Sequence, residues 1–139
     1  MSLVFFTDRD LGTRFPEILA TAGLKVNRHR DHFAPDCADV DWLKSIGERG
    51  WIAVTHDSRI RYKPNELAAV IRYRVTLLVV IGKAPFIMLA QNFVATAHKI
   101  PAFLAQHEPP LIAKLYRPSP ADLAKNPDAP GELVRWYPR

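Results

Sequence analysis

Short apolar runs alternate along this chain with longer segments in which apolar residues recur every three or four positions. The apolar runs predict five strands, at residues 3–6, 24–29, 51–55, 75–82 and 111–117. The segments between them predict four helices, at residues 13–24, 39–50, 65–73 and 86–107. Strands that alternate with helices are typical of a mostly parallel sheet covered on both faces. The predicted fold class is therefore α/β, with three layers in the order α/β/α.

Single residues refine these boundaries. Asp39 and Asn65 stand where a helix N-cap is expected, and Gly50 stands where a helix should stop. Pro101 falls inside the last helical segment and predicts a kink or a break there. The run at 75–82 is continuous and β-branched, which predicts a central strand buried on both faces.

The end of the chain is rich in proline. We therefore divide the sequence into a domain over residues 1–117 and a Pro-rich C-terminal tail over residues 118–139. The tail should be largely irregular, with room for one helical turn around "PADLAK". Trp136 and Tyr137 should either pack onto the domain or stay exposed, where they would stack on bases or dock on a partner.

Composition narrows the class of protein. With 48% apolar and 24% charged residues, the chain is ordinary for a globular domain. The single Cys37 excludes an intramolecular disulfide framework and a multi-cysteine zinc site. No apolar run reaches the roughly 20 residues of a membrane span, and the N-terminal stretch lacks the basic start of a signal peptide. We therefore expect a cytoplasmic protein with no membrane partner.

The formal charge of +5 is unevenly distributed. Residues 1–57 hold nine acids against seven Lys and Arg, a net charge of −2, whereas residues 58–139 hold five against twelve, a net charge of +7. If the two parts meet in the fold, an acidic spot lies beside a basic surface, which suits a metal site next to a polyanion track. An ordinary basic protein with solvated side chains would show the same totals, so charge alone leaves both interpretations open.

Carboxylates stand where the chain leaves the predicted strands. Asp8 follows the first strand and Asp57 the third, while Asp39 and Asp41 open the helix that leads into the third. Ligands of an open α/β sheet bind beyond the carboxyl ends of its strands, so these acids can converge there. Converging carboxylates repel one another, and a hard divalent ion with oxygen ligands removes that conflict. Each acid taken alone fits a cap or a loop position equally well.

The order of these motifs resembles a known family. "FFTDRDLG" is followed by a helical segment and "AGL", then by "DVDWLKSIGERGWIAVTHDSRIR" and a Pro-Asn-Glu stretch. Together they resemble the PIN-like domain superfamily, and in particular its compact branch of VapC-type toxin-like proteins, over residues 3–116. The resemblance implies a parallel sheet with helices on both faces. It also implies a metal-dependent ribonuclease, often the toxin of a type II toxin–antitoxin pair.

The resemblance also implies roles for the acids. Carried over by position, Asp8, Asp39 and Asp57 would be catalytic and would hold Mg²⁺ or Mn²⁺. Asp41 would be a further ligand or a supporting acid. A metal-activated water would then attack the RNA phosphodiester in line, without a covalent intermediate.

Six further side chains near these acids have expected roles. Three would support the ligands: Thr55 by hydrogen bonding, Asp10 as a cap or as negative charge near the metal, and Glu66 in the first turn of a helix. Three cations that follow Asp57 would hold RNA phosphates: Arg59, Arg61 and Lys63. The expected partners are RNA and a cognate antitoxin, and a homodimer is allowed.

Two other functions stay open. An apolar strand followed by Asp-x-Asp also resembles the haloacid dehalogenase phosphatases, in which Asp8 would be the nucleophile and Asp10 the acid/base. That family has Thr or Val two places after the second Asp and an acidic motif after a late strand, whereas Gly12 and Lys83 stand there. Asp10→Asn should abolish a phosphatase and largely spare a nuclease. A PIN-like fold can also serve as a non-catalytic binding module.

Overall fold

The computed structural model describes residues 3–139, so the predicted start of the domain at residue 1 lies outside it. Its centre is one six-stranded sheet in the order β2-β1-β3-β4-β5-β6. The strands are β1 (Val4–Thr7), β2 (Lys25–Arg28), β3 (Ile52–Thr55), β4 (Thr76–Val80), β5 (Leu111–Tyr116) and β6 (Glu132–Tyr137). Neighbouring strands among β1–β5 run parallel, and β6 runs antiparallel to β5. The predicted α/β fold class is confirmed.

Helices connect the strands and cover both faces of the sheet. The α-helices are α1 (Arg14–Thr21), α2 (His29–His32), α3 (Asp39–Arg49), α4 (Pro64–Arg72), α5 (Phe86–Thr96), α6 (Ile100–Gln106) and α7 (Pro120–Lys125). Short 3₁₀ helices lie at Arg9–Leu11, Ser58–Tyr62 and Ala97–Lys99. None of the helices over residues 3–139 combines the length and the apolar content that a membrane crossing needs.

Alternating side chains along the strands build two hydrophobic cores, one on each face of the sheet. On the first face, Phe5 and Leu78 pack with α1, α5 and α6. On the second face, Phe6 and Leu77 pack with α3 and α4 around the fully buried Trp42. Each large apolar side chain that is buried stabilises the fold by roughly 1.5–3 kcal/mol. Burial on both faces explains the continuous apolar sequence of β4, which is central as predicted.

Helix α3 begins at Asp39, and its N-cap lies one residue earlier than predicted. Ala38 is the N-cap, so the prediction of Asp39 as N-cap was wrong. The Asp39 carboxylate instead accepts a hydrogen bond from Trp42 Nε1 at 2.9 Å. Gly50 ends the helix as predicted, with a φ of 69° that glycine adopts without a Cβ clash.

Helix α4 and the predicted long helix also differ from expectation. Lys63, not Asn65, is the N-cap of α4, because Pro64 takes the first helical position, where its missing N–H leaves no bond unmade. The segment predicted as one helix is two, α5 and α6, separated by the 3₁₀ turn Ala97–Lys99. Pro101 lies in the first turn of α6, so the break that it predicts is confirmed.

The C-terminal segment is not the irregular tail that its proline content predicts. Helix α7 takes up the expected helical turn, but Glu132–Tyr137 form β6 and extend the sheet. Gly131 leads into this strand: its N–H donates to Thr96 Oγ1 at 2.8 Å, and its carbonyl accepts from Lys99 Nζ at 3.0 Å. A Cβ at Gly131 would collide with the Tyr116 carbonyl oxygen, so the chain passes here only as glycine. The prolines fall before or after β6 and do not oppose its pairing.

Candidate active site

Asp8 stands where β1 ends and the chain enters the 3₁₀ turn. Its N–H donates to the Val54 carbonyl at 2.9 Å, which holds it beside β3. Its carboxylate Oδ1 caps the turn by accepting the Arg9 N–H at 2.7 Å. The other oxygen, Oδ2, accepts the hydroxyl of Thr55, the last residue of β3, at 2.9 Å. Strand pairing therefore fixes Asp8 at the carboxyl edge of the sheet.

Asp10 reaches the same hydroxyl from within the 3₁₀ turn. Its Oδ2 lies 3.0 Å from Thr55 Oγ1 and accepts the His56 N–H at 3.1 Å. Asp10 is not the cap that the sequence suggested, because Asp8 takes that role. Thr55 is fully buried, so Asp8 and Asp10 flank one buried hydroxyl.

That hydroxyl has one hydrogen to give. Thr55 Oγ1 also accepts the Asp57 N–H at 3.2 Å, and it can donate to Asp8 or to Asp10 but not to both. One carboxylate therefore lacks a donor at this contact, and the two like charges repel. One shared proton or one bound cation would satisfy the pair.

Partial loss of contact with water makes it costly to charge both carboxylates of the pair. Burial, followed by the charge of Asp10, raises the pKa of Asp8 to about 7. Burial likewise raises the pKa of Asp10, against hydrogen bonds that lower it. The charge of Asp39 adds to the rise in pKa at Asp8, and that of Asp57 to the rise at Asp10. The four acids thus share one neighbourhood, and Asp8 exchanges its proton near neutral pH.

The surroundings of Asp57 shift its pKa in the opposite direction, downward. It caps the turn Ser58–Tyr62 by accepting the Arg59 N–H at 3.0 Å, and its Oδ2 accepts Lys63 Nζ at 2.9 Å. Burial tends to raise its pKa, but the hydrogen bonds from Lys63 and Arg59 outweigh burial and hold the pKa of Asp57 below its ordinary value. Cations of the chain therefore neutralise Asp57.

The other two acids of the predicted ligand set lie in the first turn of α3. Asp39 is held by Trp42, and Asp41 is exposed. Across residues 3–139, no three His, Cys, Asp or Glu side chains are arranged to hold a metal ion. The structure does not assemble the four predicted ligands into one ready cluster; it joins Asp8 to Asp10 through Thr55 instead.

The cations predicted to hold phosphates differ in their surroundings. The side chain of Arg59 is 80% exposed, and Lys63 is bound to Asp57. Arg61 is half-buried, with its guanidinium carbon 5.6 Å from the centre of the Trp136 ring. Glu66, also predicted to support the site, lies in the first turn of α4, as expected.

Sequence reasoning missed the role of Arg9 and His29. Arg9 Nε donates to His29 Nδ1 at 2.8 Å, and its Nη2 donates to the Phe33 carbonyl at 3.0 Å. His29 is 3% exposed, and burial, then the charge of Arg9, lowers its pKa. It is therefore a neutral acceptor with its hydrogen on Nε2. The two residues fasten the turn that carries Asp8, and only the pairing of β1 with β2 brings them together.

A large cleft in the described part of the chain does not coincide with these acids. It measures about 790 Å³ and lies between α1, α5 and the segment after β5, and none of the acids above lines it. A smaller opening of about 120 Å³ lies at Thr7, Asp8, Arg9 and Gly12. We place the candidate site at the smaller opening, because paired carboxylates with a raised pKa are a stronger sign of chemistry than size alone.

Comparison with known proteins identifies the family of the chain. The family described as "PIN like domain" matches residues 3–82, a stretch that holds β1–β4 and all the predicted site residues. No curated protein and no solved structure shows a significant match. Because the family match spans more than half of the 139 residues, the chain belongs to the PIN-like domain family.

Proposed function

We propose that this protein is a ribonuclease that hydrolyses RNA phosphodiesters with Mg²⁺ or Mn²⁺. PIN-like domains are commonly nucleases, which supports the reaction class. The observation that carries the proposal is the pair of carboxylates, Asp8 and Asp10, on the buried Thr55 hydroxyl. The pair lies at the carboxyl edge of the sheet, where α/β folds bind their ligands.

The chemistry of the donors fits a hard divalent cation. All the candidate ligand atoms are carboxylate oxygens, which Mg²⁺ and Mn²⁺ prefer. Mg²⁺ commonly binds through one or two protein carboxylates and fills its remaining positions with water and phosphate. Asp8 and Asp10 supply that number, and a cation would remove their mutual repulsion. Asp39, Asp57 and Asp41 are the proposed further ligands.

Four side chains at the site have proposed roles in the reaction. Thr55 would orient one of the two carboxylates at a time through its single hydroxyl hydrogen, and the Asp57 N–H donates to the same hydroxyl oxygen. Asp8 is the proposed acceptor of a proton from water, since its carboxylate lies beside the place proposed for the cation and its water. Arg59 and Lys63 would bind the phosphate charge beside Asp57. When bound, the metal would supply a water of lowered pKa and a positive charge for a phosphate oxygen.

A finer proposal is that the ribonuclease is the toxin of a type II toxin–antitoxin pair. It rests on the motif order that the chain shares with the VapC-type branch, and it makes RNA and a cognate antitoxin the partners. Expression of the chain alone should arrest growth, and co-expression of a small DNA-binding protein encoded beside it should restore growth. Growth that is unaffected by the chain would contradict the toxin role and leave the ribonuclease standing.

The phosphatase alternative is not retained, because the PIN-like match covers Asp8 and Asp10 themselves. A binding module that has lost activity would bind RNA without cutting it. The decisive experiment therefore measures Mn²⁺ binding and cleavage of a fluorogenic RNA separately. Asp8→Asn should weaken both, and Asp122→Asn, which changes an exposed acid on α7, should weaken neither.

A protein that neither binds Mn²⁺ nor cuts RNA, with Asp8→Asn indistinguishable from wild type, would refute the ribonuclease. A protein that binds RNA with no metal-dependent cleavage would instead be the binding module.

A further inference from the structure

Aromatic and cationic side chains gather beside the candidate site, on the second face of the sheet. On this face α3 and α4 pack over β1, β3 and β4. Side chains of β5 and β6 stay accessible there: Tyr116 is 36% exposed and Val134 is 44% exposed. We define the aromatic–cationic patch as Arg61, Tyr62, Lys114, Tyr116, Val134 and Trp136.

The cations of the patch lie over its rings. Lys114 Nζ is 4.0 Å from the centre of the Trp136 ring and 6.0 Å from that of Tyr116. The guanidinium carbon of Arg61 is 5.4 Å from the centre of the Tyr62 ring, and its Nε is buried without a hydrogen-bond partner in the described part of the chain. Ring faces, rather than carboxylates, therefore hold both cations in place.

Tyr62 connects the patch to the site. It is 66% exposed, yet its ring is fixed edge-on against Trp136, with ring centres 5.6 Å apart and planes at 78°. The next residue, Lys63, donates to Asp57 at 2.9 Å. The patch thus includes Arg61 and Tyr62, the last two residues of the turn that Asp57 caps.

We propose that the aromatic–cationic patch binds single-stranded RNA, with bases stacked on Tyr62 and Tyr116 and phosphates held by Lys114 and the neighbouring Arg59. The proposal rests on the proposed ribonuclease function only for the idea that this strand leads into the site. Accessible rings beside cations are the combination that an unpaired strand requires, because it presents both base faces and phosphates.

Charge and shape favour RNA over other occupants. The part of the chain that supplies the patch, residues 58–139, carries a net charge of +7. A duplex hides its base faces and would leave the rings unused. A protein partner is the competing occupant, because Tyr, Trp and Arg also anchor protein interfaces, and the positive charge of this part of the chain favours a polyanion over it.

The test measures binding without metal, so that cleavage plays no part. The full chain is titrated in EDTA with a fluorescein-labelled uridine 12-mer and with a duplex of equal length. We expect the single strand to bind at least tenfold more tightly. Tyr62→Ala should weaken binding of the single strand about tenfold, because a stacked base loses its support. Tyr62→Phe keeps the ring and should keep the affinity.

Matched variants control for charge and for exposed apolar surface. Lys114→Gln and Lys25→Gln each remove one positive charge, but Lys25 lies at the start of β2, on the opposite edge of the sheet. Lys114→Gln should weaken binding more than Lys25→Gln. Ile71→Ala removes an exposed side chain of α4 outside the patch and should change nothing. Melting curves check that each variant is folded.

The results separate the patch from the enzyme. Wild-type affinity in both Tyr62→Ala and Lys114→Gln, equal binding of duplex, or self-association through this face without RNA binding would each overturn the patch. A protein that binds RNA through Tyr62 but cuts no RNA with Mn²⁺ would support the patch and contradict the proposed ribonuclease. A protein that cuts RNA, and in which Tyr62→Ala changes neither RNA affinity nor KM, would support the ribonuclease and contradict the patch.

Discussion

At the scale of single residues, Thr55 limits which charge states the carboxylates of Asp8 and Asp10 can adopt. Its one hydroxyl hydrogen lies between two carboxylates, so one of them lacks a donor there. One shared proton or one bound cation would satisfy that carboxylate. The sequence placed Asp8 and Thr55 correctly at strand ends. It undervalued Asp10, because no spacing rule shows which side chain of a 3₁₀ turn reaches a hydroxyl 45 positions later.

The raised pKa of Asp8 predicts a pH-dependent effect on stability. The pKa in the folded protein is about 7 against an ordinary value of 3.8, so ionising Asp8 destabilises the fold increasingly between those two pH values. Asp8→Asn, which is neutral throughout, should be more stable than wild type by up to about 4 kcal/mol at pH 8 and by little at pH 4. Urea unfolding at both pH values measures this difference, and an equal gap at the two would contradict it.

Replacing Asp57 by Asn should change the stability in the opposite direction from Asp8→Asn. Its lowered pKa means that the ionised form stabilises the fold above its ordinary pKa and that this contribution is lost as the pH falls through the lower folded value. Asp57→Asn should therefore destabilise the protein by about 1 kcal/mol at pH 8, since the ion pairs are partly exposed. The same unfolding series checks it, and a stabilised variant at pH 8 would refute the ion pairs with Lys63 and Arg59.

Asp10→Asn now carries a different expectation from the one that the sequence suggested. Because Asp10 shares the Thr55 hydroxyl with Asp8, its charge should count toward metal binding. We expect Mn²⁺ affinity, measured by titration calorimetry, to fall at least tenfold, the effect of losing one direct or neighbouring charge. Unchanged Mn²⁺ affinity would return Asp10 to the supporting role first assigned to it.

At the scale of elements, one proposed ligand in the first turn of α3 also accepts the hydrogen bond of the buried Trp42 indole in the same helix. Asp39→Ala removes the acceptor of the Trp42 N–H and leaves that donor buried, which should cost about 1–3 kcal/mol of stability. Asp39→Asn keeps an acceptor oxygen and should cost less. If Asp39 also binds metal, Asp39→Asn should lose Mn²⁺ affinity, measured by calorimetry, while its stability, measured by urea unfolding, changes little. The two measurements therefore distinguish the metal-binding role from the structural one.

The contact between α3 and the end of α4 predicts an unusual effect at Gly47. In most helices Gly→Ala stabilises by up to about 1 kcal/mol. Here a Cβ would collide with the Tyr73 carbonyl oxygen and lie 3.0 Å from Val75 Cγ2. Gly47→Ala should therefore destabilise the protein by about 1–3 kcal/mol, read as a lower melting temperature. A higher melting temperature would mean that the helices can part there.

At the scale of the whole molecule, the alternating pattern was enough to predict a mostly parallel sheet and its five parallel strands. It could not predict β6, because Glu132–Tyr137 has no apolar periodicity of its own and becomes a strand by pairing with β5. The aromatic–cationic patch was equally beyond the sequence, since it joins residues 61 and 62 to residues 114–136.

The division of the chain at residue 117 can be tested by truncation. A chain ending at residue 117 loses β6 and leaves the backbone edge of β5 uncovered. We expect it to aggregate or to melt well below the full chain, as followed by light scattering and circular dichroism. A truncated chain that is monomeric and as stable as the full one would show that residues 118–139 are a dispensable tail.

The strand order also sets a sequence of events during synthesis. After β3, each new strand pairs with the one made just before it, so the sheet grows at one edge in the direction of translation. Asp8, Asp10 and Thr55 emerge early, and β6, with Trp136, emerges last. At ribosomal rates of about 5–20 residues per second, the roughly 80 residues between Asp57 and Tyr137 take about 4–16 s to make. The acids of a nascent chain are thus complete for seconds before the surface proposed to bring RNA to them.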